Sequence, residues 1–207
     1  MTSPILIIDY GMGNIGSLRN MFKRVGAETE VASDAGSIAR AGKLLLPGVG
    51  AFDAAMRRIG DLGLAPAICD RARAGVPTLG ICLGMQLLLD GSEEGRLPGL
   101  GLIPGRARRF PPAAGLKVPH MGWNVVRQAQ RSALTDWMRG EDETRFYFVH
   151  SYAVQTERPA DAVLKCTYGI EFDAAIGRDN VYGAQFHPEK SHRFGMALLS
   201  AFAKLPC

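Results

Sequence analysis

The sequence predicts an α/β fold with a central, mostly parallel sheet flanked by helices and additional antiparallel strands in the C-terminal half. Three observations carry this expectation. Over the first ninety residues, short apolar runs without polar alternation take turns with helix-like stretches, the pattern of strands buried on both faces of a parallel sheet. Past Pro98 the chain holds six strand-like segments and a single short helix-like one before a final helix. The size and composition, 207 residues with 47% hydrophobic and 21% charged, suit one globular domain over 1–207 with a core of its own.

Residues 5–9 (ILIID) open the chain as a buried strand. The turn Gly11-Met12-Gly13-Asn14 follows, then a helix over 15–25 that Gly26 stops. A second strand is expected over 28–32. Ser33 and Asp34 are capping residue types, so a short helix should follow them. Leu44-Leu45-Leu46 reads as the third strand, closed by Pro47-Gly48, with helices over 51–59 and 64–74. A fourth strand, 78–82, runs straight into a helix over 83–89. Further strands are expected over 100–110, 123–127, 145–152, 162–167, 172–176 and 181–186, with a short helix near 132–138 and a last helix over 192–205. Gly177-Arg178-Asp179-Asn180 has the composition of a hairpin turn.

Composition excludes several classes of function. The excess of 24 Lys+Arg over 20 Asp+Glu is small and spread along the chain, and its densest patch, Arg106, Arg108 and Arg109, is too slight for a nucleic-acid footprint. The longest apolar stretch, 79–89, contains Gln86 and two glycines and falls far short of the roughly 20 residues a membrane span needs. Cys69, Cys82, Cys166 and Cys207 show neither CxxC nor regular spacing, so a reducing, cytoplasmic setting without disulfides or a bound metal is expected. The N-terminus has no basic segment and no cleavage site of a secretory signal. Cys207, the last residue, is expected to be exposed and oxidisable.

One segment carries chemistry on its face. Gly80-Ile81-Cys82-Leu83-Gly84 sits where a strand meets a helix, a G-x-nucleophile-x-G elbow with cysteine as the nucleophile. Side chains at the glycine positions would collide with neighbouring backbone. The turn should place the sulfur at a helix N-terminus, which favours thiolate, and leave the Leu83 amide free to hold an oxyanion. A thiol nucleophile needs a base, and the chain has four histidines: His120, His150, His187 and His192. His187 ends a strand-like run, Pro188 fixes the backbone after it, and Glu189 is placed to orient the ring. Pro47-Gly48-Val49-Gly50 follows a buried strand and is free to present backbone N–H groups, a second oxyanion donor.

Taken together, in this order, these segments resemble the class I, triad-type glutamine amidotransferases. The likeness extends to Asp9-Tyr10-Gly11-Met12-Gly13-Asn14, Pro47-Gly48-Val49-Gly50-Ala51-Phe52, the GICLGMQLL of 80–88, Pro119-His120-Met121-Gly122-Trp123-Asn124, the YFVHSY of 147–152 and the QFHPEKS of 185–191. It therefore spans almost the whole chain. Val49 and Lys190 set the chain apart from amidotransferases of chorismate metabolism, which typically read PGPG and HPES at these places. Ala153 departs from relatives that often carry an aromatic after HSY.

The resemblance implies the class I amidotransferase fold and hydrolysis of L-glutamine to glutamate and ammonia, with no cofactor. Cys82, His187 and Glu189 would form the triad, and Leu83 with Val49 or Gly50 would hold the oxyanion. Gln86, Glu94, His150, Ser151 and Tyr152 would bind substrate, Glu94 being apt for the α-ammonium and the 150–152 backbone for the α-carboxylate. The resemblance further implies a heterodimer with a (β/α)₈-barrel cyclase subunit. That subunit would use the ammonia to make imidazole glycerol phosphate and an aminoimidazole carboxamide ribonucleotide (AICAR) in histidine biosynthesis, and its ligand would activate the glutaminase. Asn14, Trp123, Tyr147 and Lys190 would lie near that interface. The Val49–Gly50 peptide, with glycines at 48 and 50, is expected to flip on activation.

Other readings stand beside this one. An amidotransferase of chorismate or pyridoxal phosphate synthesis would pair with another partner. A cysteine peptidase on a similar scaffold usually has His directly after the elbow Cys, where Leu83 stands here. A binding module with a dead triad would be expected to lack Cys82, His187 or Glu189, and all three are present.

Overall fold

The computed structural model describes residues 3–112, 116–138 and 143–206. Its centre is a nine-stranded sheet built in two halves. Strands β1 (Ile5–Ile8), β2 (Thr29–Ala32), β3 (Lys43–Leu46) and β4 (Thr78–Ile81) alternate with α1 (Ile15–Arg24), α2 (Ala35–Arg40), α3 (Phe52–Asp61) and α4 (Leu64–Arg73). A five-residue helix, α5 (Leu83–Leu87), and the two-residue strand β5 (Gly91–Ser92) follow. The second half holds β6 (Gly105–Arg109), β7 (His120–Gln128), β8 (Arg145–His150), β9 (Tyr152–Thr156), β10 (Ala162–Tyr168), β11 (Ile170–Arg178) and β12 (Val181–Ala184), and α6 (His192–Ala203) closes it.

The sheet order is β2-β1-β3-β4-β12-β11-β10-β7-β8, with β5-β6-β9 as a separate small sheet. The first five strands in that order are mutually parallel, and each later neighbour is antiparallel. The inner parallel strands β1, β3 and β4 are buried at every position, which is why they show no alternation, whereas β2 lies half-exposed at the sheet edge. Ile5, Ile7, Leu45, Leu79 and Ile81 pack with Leu18 and Phe22 of α1 and Leu198 and Phe202 of α6. Leu6, Ile8, Leu44 and Leu46 face the other way, onto Ile38, Phe52, Ile59, Leu64 and Ile68 of α2 to α4. The C-terminal ends of the parallel strands share one rim, and the segments that follow β1, β3, β4 and β12 gather there.

Four expectations need correction. Residues 132–138 form successive turns, not a helix. The Ser132 carbonyl takes the Thr135 N–H at 2.8 Å, while the Ser132 hydroxyl takes the Leu134 N–H at 3.3 Å, a local bond that competes with helix. The strand expected over 100–110 is only Gly105–Arg109, because residues 100–103 fold over α5, where Leu102 and Ile103 donate to the Leu88 carbonyl. The strand expected over 145–152 is two strands: the chain leaves the large sheet at Ser151 and enters the small one. The elbow helix, expected to reach residue 89, ends at Leu87. Cys207 lies outside the described residues.

Candidate active site

The elbow forms because glycine is the only residue the local packing admits. A Cβ on Gly84 would stand 1.9 Å from the Leu46 carbonyl oxygen of β3, and one on Gly80 would stand 2.5 Å from the Gly84 carbonyl. Close approach on both sides bends the chain sharply, and Cys82 takes φ of 54°, a conformation unfavourable for any side chain. Its N–H bonds the Ala184 carbonyl of β12 at 2.7 Å, and its carbonyl accepts the Met85 N–H at 3.1 Å, the first bond of α5. With only five residues, α5 supplies little macrodipole. The elbow's contribution is therefore to turn the sulfur and the amides next to it toward the cleft.

His187 arrives from the adjacent strand. β12 pairs with β4 in register Ala184↔Ile81, so the residues just beyond each strand end lie side by side. His187 Nδ1 is 2.8 Å from Glu189 Oε1, and the ring also hydrogen-bonds the Cys82 side chain. Burial alone would depress the imidazolium. The hydrogen bonds to Cys82 and Glu189, and the negative charges of both, outweigh it and raise His187 to about 9. The Cys82 sulfur lies 3.8 Å from the Val149 carbonyl. Glu189 Oε2 is buried and meets no hydrogen-bond donor among the described residues. One oxygen of this carboxylate is thus committed to the histidine.

The backbone behind His187 is fastened by a residue that sequence reasoning missed. The Ser191 hydroxyl donates to the His187 carbonyl and accepts the Tyr147 N–H, and the His187 N–H bonds the Tyr147 carbonyl. Its only sequence signal was a buried-compatible small residue four positions after the histidine, which many turns share.

Cys82 and His187 open into a cleft of about 340 Å³, lined also by Val49, Gly50, Leu83, Gln86, Glu94, Pro119, Val149, His150, Ser151, Tyr152 and Lys190. The structure thus brings the predicted nucleophile, base, oxyanion candidates and substrate-binding candidates to one place. Gln86 donates from Nε2 to Gln185 Oε1 at 3.2 Å and to the Tyr152 carbonyl at 3.5 Å, which sets its orientation at the cleft wall. Glu94 accepts the Phe52 N–H at 3.0 Å at the start of α3. Asp53 holds the Arg96 and Leu97 N–H groups at 2.9 and 3.0 Å, so the Glu94 loop is clamped to the segment that carries Val49 and Gly50.

The Val49–Gly50 turn lies between two anchors, Pro47 and Gly48 before it and Phe52 and Asp53 after it. Tyr10 donates to the Pro47 carbonyl at 2.7 Å, and a Cβ on Gly48 would meet the Gly84 nitrogen and the Tyr10 hydroxyl at 2.7 Å. Burial and then the nearby Cys82 push the Tyr10 phenol far above its usual range, so it remains a donor. Gly50, with φ of 104°, follows an exposed Val49.

Three of the predicted interface residues form one patch. Trp123 lies flat on His192, centroids 5.5 Å apart, with its edge to Tyr147 at 6.1 Å, and Lys190 Nζ is 5.7 Å from the Tyr147 ring centre. Along β7, Met121, Trp123 and Val125 are 61, 43 and 40% exposed and share a face, a stripe of apolar side chains set out to water. Met121 and Val125 were not singled out by sequence reasoning, although the alternation of 121–125 is their signal. Asn14 is exposed at the start of α1 on the rim, apart from these contacts.

Comparison with known proteins follows the same lines. The family model for class-I glutamine amidotransferases matches residues 6–204. The chain is 50% identical over 204 residues to the imidazole glycerol phosphate synthase subunit HisH of Moorella thermoacetica, covering 98% of this chain and 95% of that one. It is 46% identical to the protein of that name from Bdellovibrio bacteriovorus, covering 97% of this chain and 100% of that one. Among solved structures, PurLQS from Thermotoga maritima superposes with a TM-score of 0.76 at 18% identity, covering 98% of both chains. A glutamine amidotransferase from Thermotoga maritima gives 0.67 at 16% identity, covering 94% of this chain and 79% of that one. At such identities these two likenesses concern the fold alone.

Proposed function

The chain belongs to the class-I glutamine amidotransferase family, and from that premise we propose that it is the glutaminase subunit of an imidazole glycerol phosphate synthase in histidine biosynthesis. The observation that carries the reading is the floor of the cleft, where a buried Cys82 on a strained elbow meets a His187 held by Glu189.

Glutamine enters with its side-chain amide toward Cys82, its α-ammonium toward Glu94 and its α-carboxylate toward the corner at 150–152. The Cys82 thiolate attacks the amide carbon while protonated His187 stands ready. The oxyanion is held by the Leu83 amide and by an N–H of Val49 or Gly50, a donor of the kind worth roughly 3 kcal/mol of barrier. His187 gives its proton to the departing nitrogen, and ammonia leaves. A water molecule, deprotonated by the now neutral His187, attacks the glutamyl thioester, releasing glutamate and returning the thiolate and the imidazolium. Glu189 holds the ring in the orientation both steps require.

Because the loop is anchored at Pro47 and Gly48 before the turn and at Phe52 and Asp53 after it, reorientation of the Val49–Gly50 peptide is confined to the short stretch next to the sulfur. That is where partner binding would switch the oxyanion donor on. The partner is a (β/α)₈-barrel cyclase subunit, which covers Met121, Trp123, Val125 and the Tyr147–Lys190 pair, approaches Asn14, and receives the ammonia to form imidazole glycerol phosphate and AICAR.

The deciding experiment assays ammonia release from glutamine by the purified chain, alone and with the cyclase subunit and its nucleotide ligand. Strong stimulation by the liganded partner is expected. A Cys82→Ala complex should lose synthesis from glutamine and keep synthesis from an ammonium salt. Equal loss with both nitrogen donors would overturn the role given to Cys82.

A further inference from the structure

His120 and His150 are cross-strand partners on β7 and β8, and His120 Nδ1 stands 3.0 Å from His150 Nε2. Both rings are buried among aromatic side chains, and His150, which packs on Phe110, Phe148 and Phe172, also borders the cleft. His120 stacks on Phe148 at 4.8 Å and on Tyr168 at 4.0 Å, and Phe110 and Phe172 close the sides. Burial pushes the imidazolium form of His120 down to about 4 and that of His150 to about 3, so both rings are neutral at physiological pH.

A neutral imidazole has one donor nitrogen and one acceptor nitrogen. His150 Nδ1 lies 2.8 Å from the Tyr152 carbonyl oxygen, which can only accept, so the His150 proton is on Nδ1 and Nε2 is a lone pair. Across the 3.0 Å contact His120 must then donate from Nδ1, which makes its Nε2 the acceptor. Facing that nitrogen at 3.3 Å is the amide nitrogen of Asn124, which also donates to the Thr167 carbonyl at 3.1 Å. Every link has one permitted direction, from Asn124 through His120 and His150 to Tyr152.

The chain of bonds ends at the corner where the backbone passes from the large sheet to the small one and forms the cleft wall. Tyr152's carbonyl also takes the Gln86 amide, so two cleft-lining side chains converge on one oxygen. With the proton on Nε2 instead, the Nδ1 lone pair of His150 would face the Tyr152 oxygen and repel it.

We propose that His120 and Asn124 are positioning residues for the glutamine site: their one-way hydrogen-bond chain locks His150 as the Nδ1–H tautomer and fixes the 150–152 corner against which the α-carboxylate binds. The assignment to substrate binding rests on the glutaminase reading, whereas the relay itself does not.

The test has two parts. Nitrogen NMR of isotope-labelled histidines in the wild-type protein reads the tautomers directly, and both His120 and His150 should carry their proton on Nδ1. An Nε2–H signal from His150 overturns the relay and leaves the glutaminase reading standing. Kinetics with the cyclase complex then compare His120→Leu with His120→Asn, whose amide nitrogen can stand where Nδ1 stood. The leucine variant should raise the glutamine KM roughly tenfold with kcat changed less than about threefold, and the asparagine variant should return KM to within about threefold of wild type. Asn124→Leu, at the partly exposed end of the relay, should shift KM in the same direction and keeps the test open if residue 120 tolerates no change. An unchanged KM in a folded His120→Leu or Asn124→Leu variant overturns the positioning role. No ammonia release by the wild-type complex would instead overturn the glutaminase reading, and with it the assignment of the relay to substrate.

Discussion

The Ser191 hydroxyl donates to the carbonyl oxygen of His187 at 2.6 Å. With its second bond, from the Tyr147 N–H at 3.0 Å, it ties the histidine's backbone to the neighbouring strand. Ser191→Ala removes both bonds from a fully buried position. We expect a stability loss of about 1–3 kcal/mol by urea unfolding. Glutaminase kcat should fall roughly tenfold with little change in KM, because the serine positions the base and does not line the cleft.

Glu189 orients His187 through a single oxygen, so Glu189→Gln keeps the shape and loses the charge. By analogy with other triads, kcat should drop by roughly 10³ to 10⁴. The glutamyl thioester, if deacylation becomes slower than acylation, should appear as added mass on Cys82 in intact-protein mass spectrometry during turnover.

Stability should peak near the ordinary histidine value of 6.5. His187 binds its proton more tightly in the folded protein, at about 9, so its contribution is fully present below pH 6.5 and fades as the pH rises toward 9. His120 and His150 have the opposite sign. Folding holds them neutral, with values of about 4 and about 3, so stability falls as the pH drops from 6.5 through that range. Urea midpoints measured across pH test both limbs. In Cys82→Ala, which removes one of the groups raising His187, the upper limb should move to lower pH.

Gly84→Ala forces a methyl group to 1.9 Å from the Leu46 carbonyl oxygen. Neither backbone can retreat without disturbing β3 or the elbow. A loss of at least about 2–3 kcal/mol is expected, together with glutaminase activity, by thermal unfolding and ammonia assay. Gly60→Ala, near the end of α3 where an added Cβ meets nothing within 4 Å, serves as the control and should be neutral or mildly stabilising.

Trp123 lies 43% exposed on the apolar stripe of β7. Trp123→Ala should weaken association with the cyclase subunit at least roughly tenfold by calorimetry, an effect typical of a central aromatic anchor. The free chain should unfold at nearly the same urea concentration, since the ring stacks only on surface partners.

The parallel half of the fold was legible because its inner strands are buried on both faces, and an unbroken apolar run such as 5–8 or 44–46 is hard to place anywhere but inside a sheet. The meeting of Cys82, His187 and Glu189 was legible for a related reason: the elbow glycines and Pro188 are steric necessities that local sequence displays. What stayed hidden depends on contacts between distant segments. The break at Ser151 is a change of sheet within one strand-like run, and nothing in YFVHSY marks it. Residues 132–138 have helix-compatible residues, but the Ser132 hydroxyl and Thr135 settle turns instead. The pairing of His120 with His150 exists only through the register of β7 with β8. Ser191 acts on backbone groups whose neighbourhood is set by tertiary structure.

The placement of Cys82 and His187 beyond two adjacent parallel strands has a consequence in time. The two residues are about a hundred positions apart, and β12 reaches β4 only after the antiparallel strands between them have been laid down. A chain emerging from the ribosome therefore carries its thiol long before it carries a base. Local folding of the first ninety residues can build the elbow, but pairing over so long a loop comes late and slowly. The thiol therefore stands without its histidine until the docking of β12 brings Cys82 and His187 together.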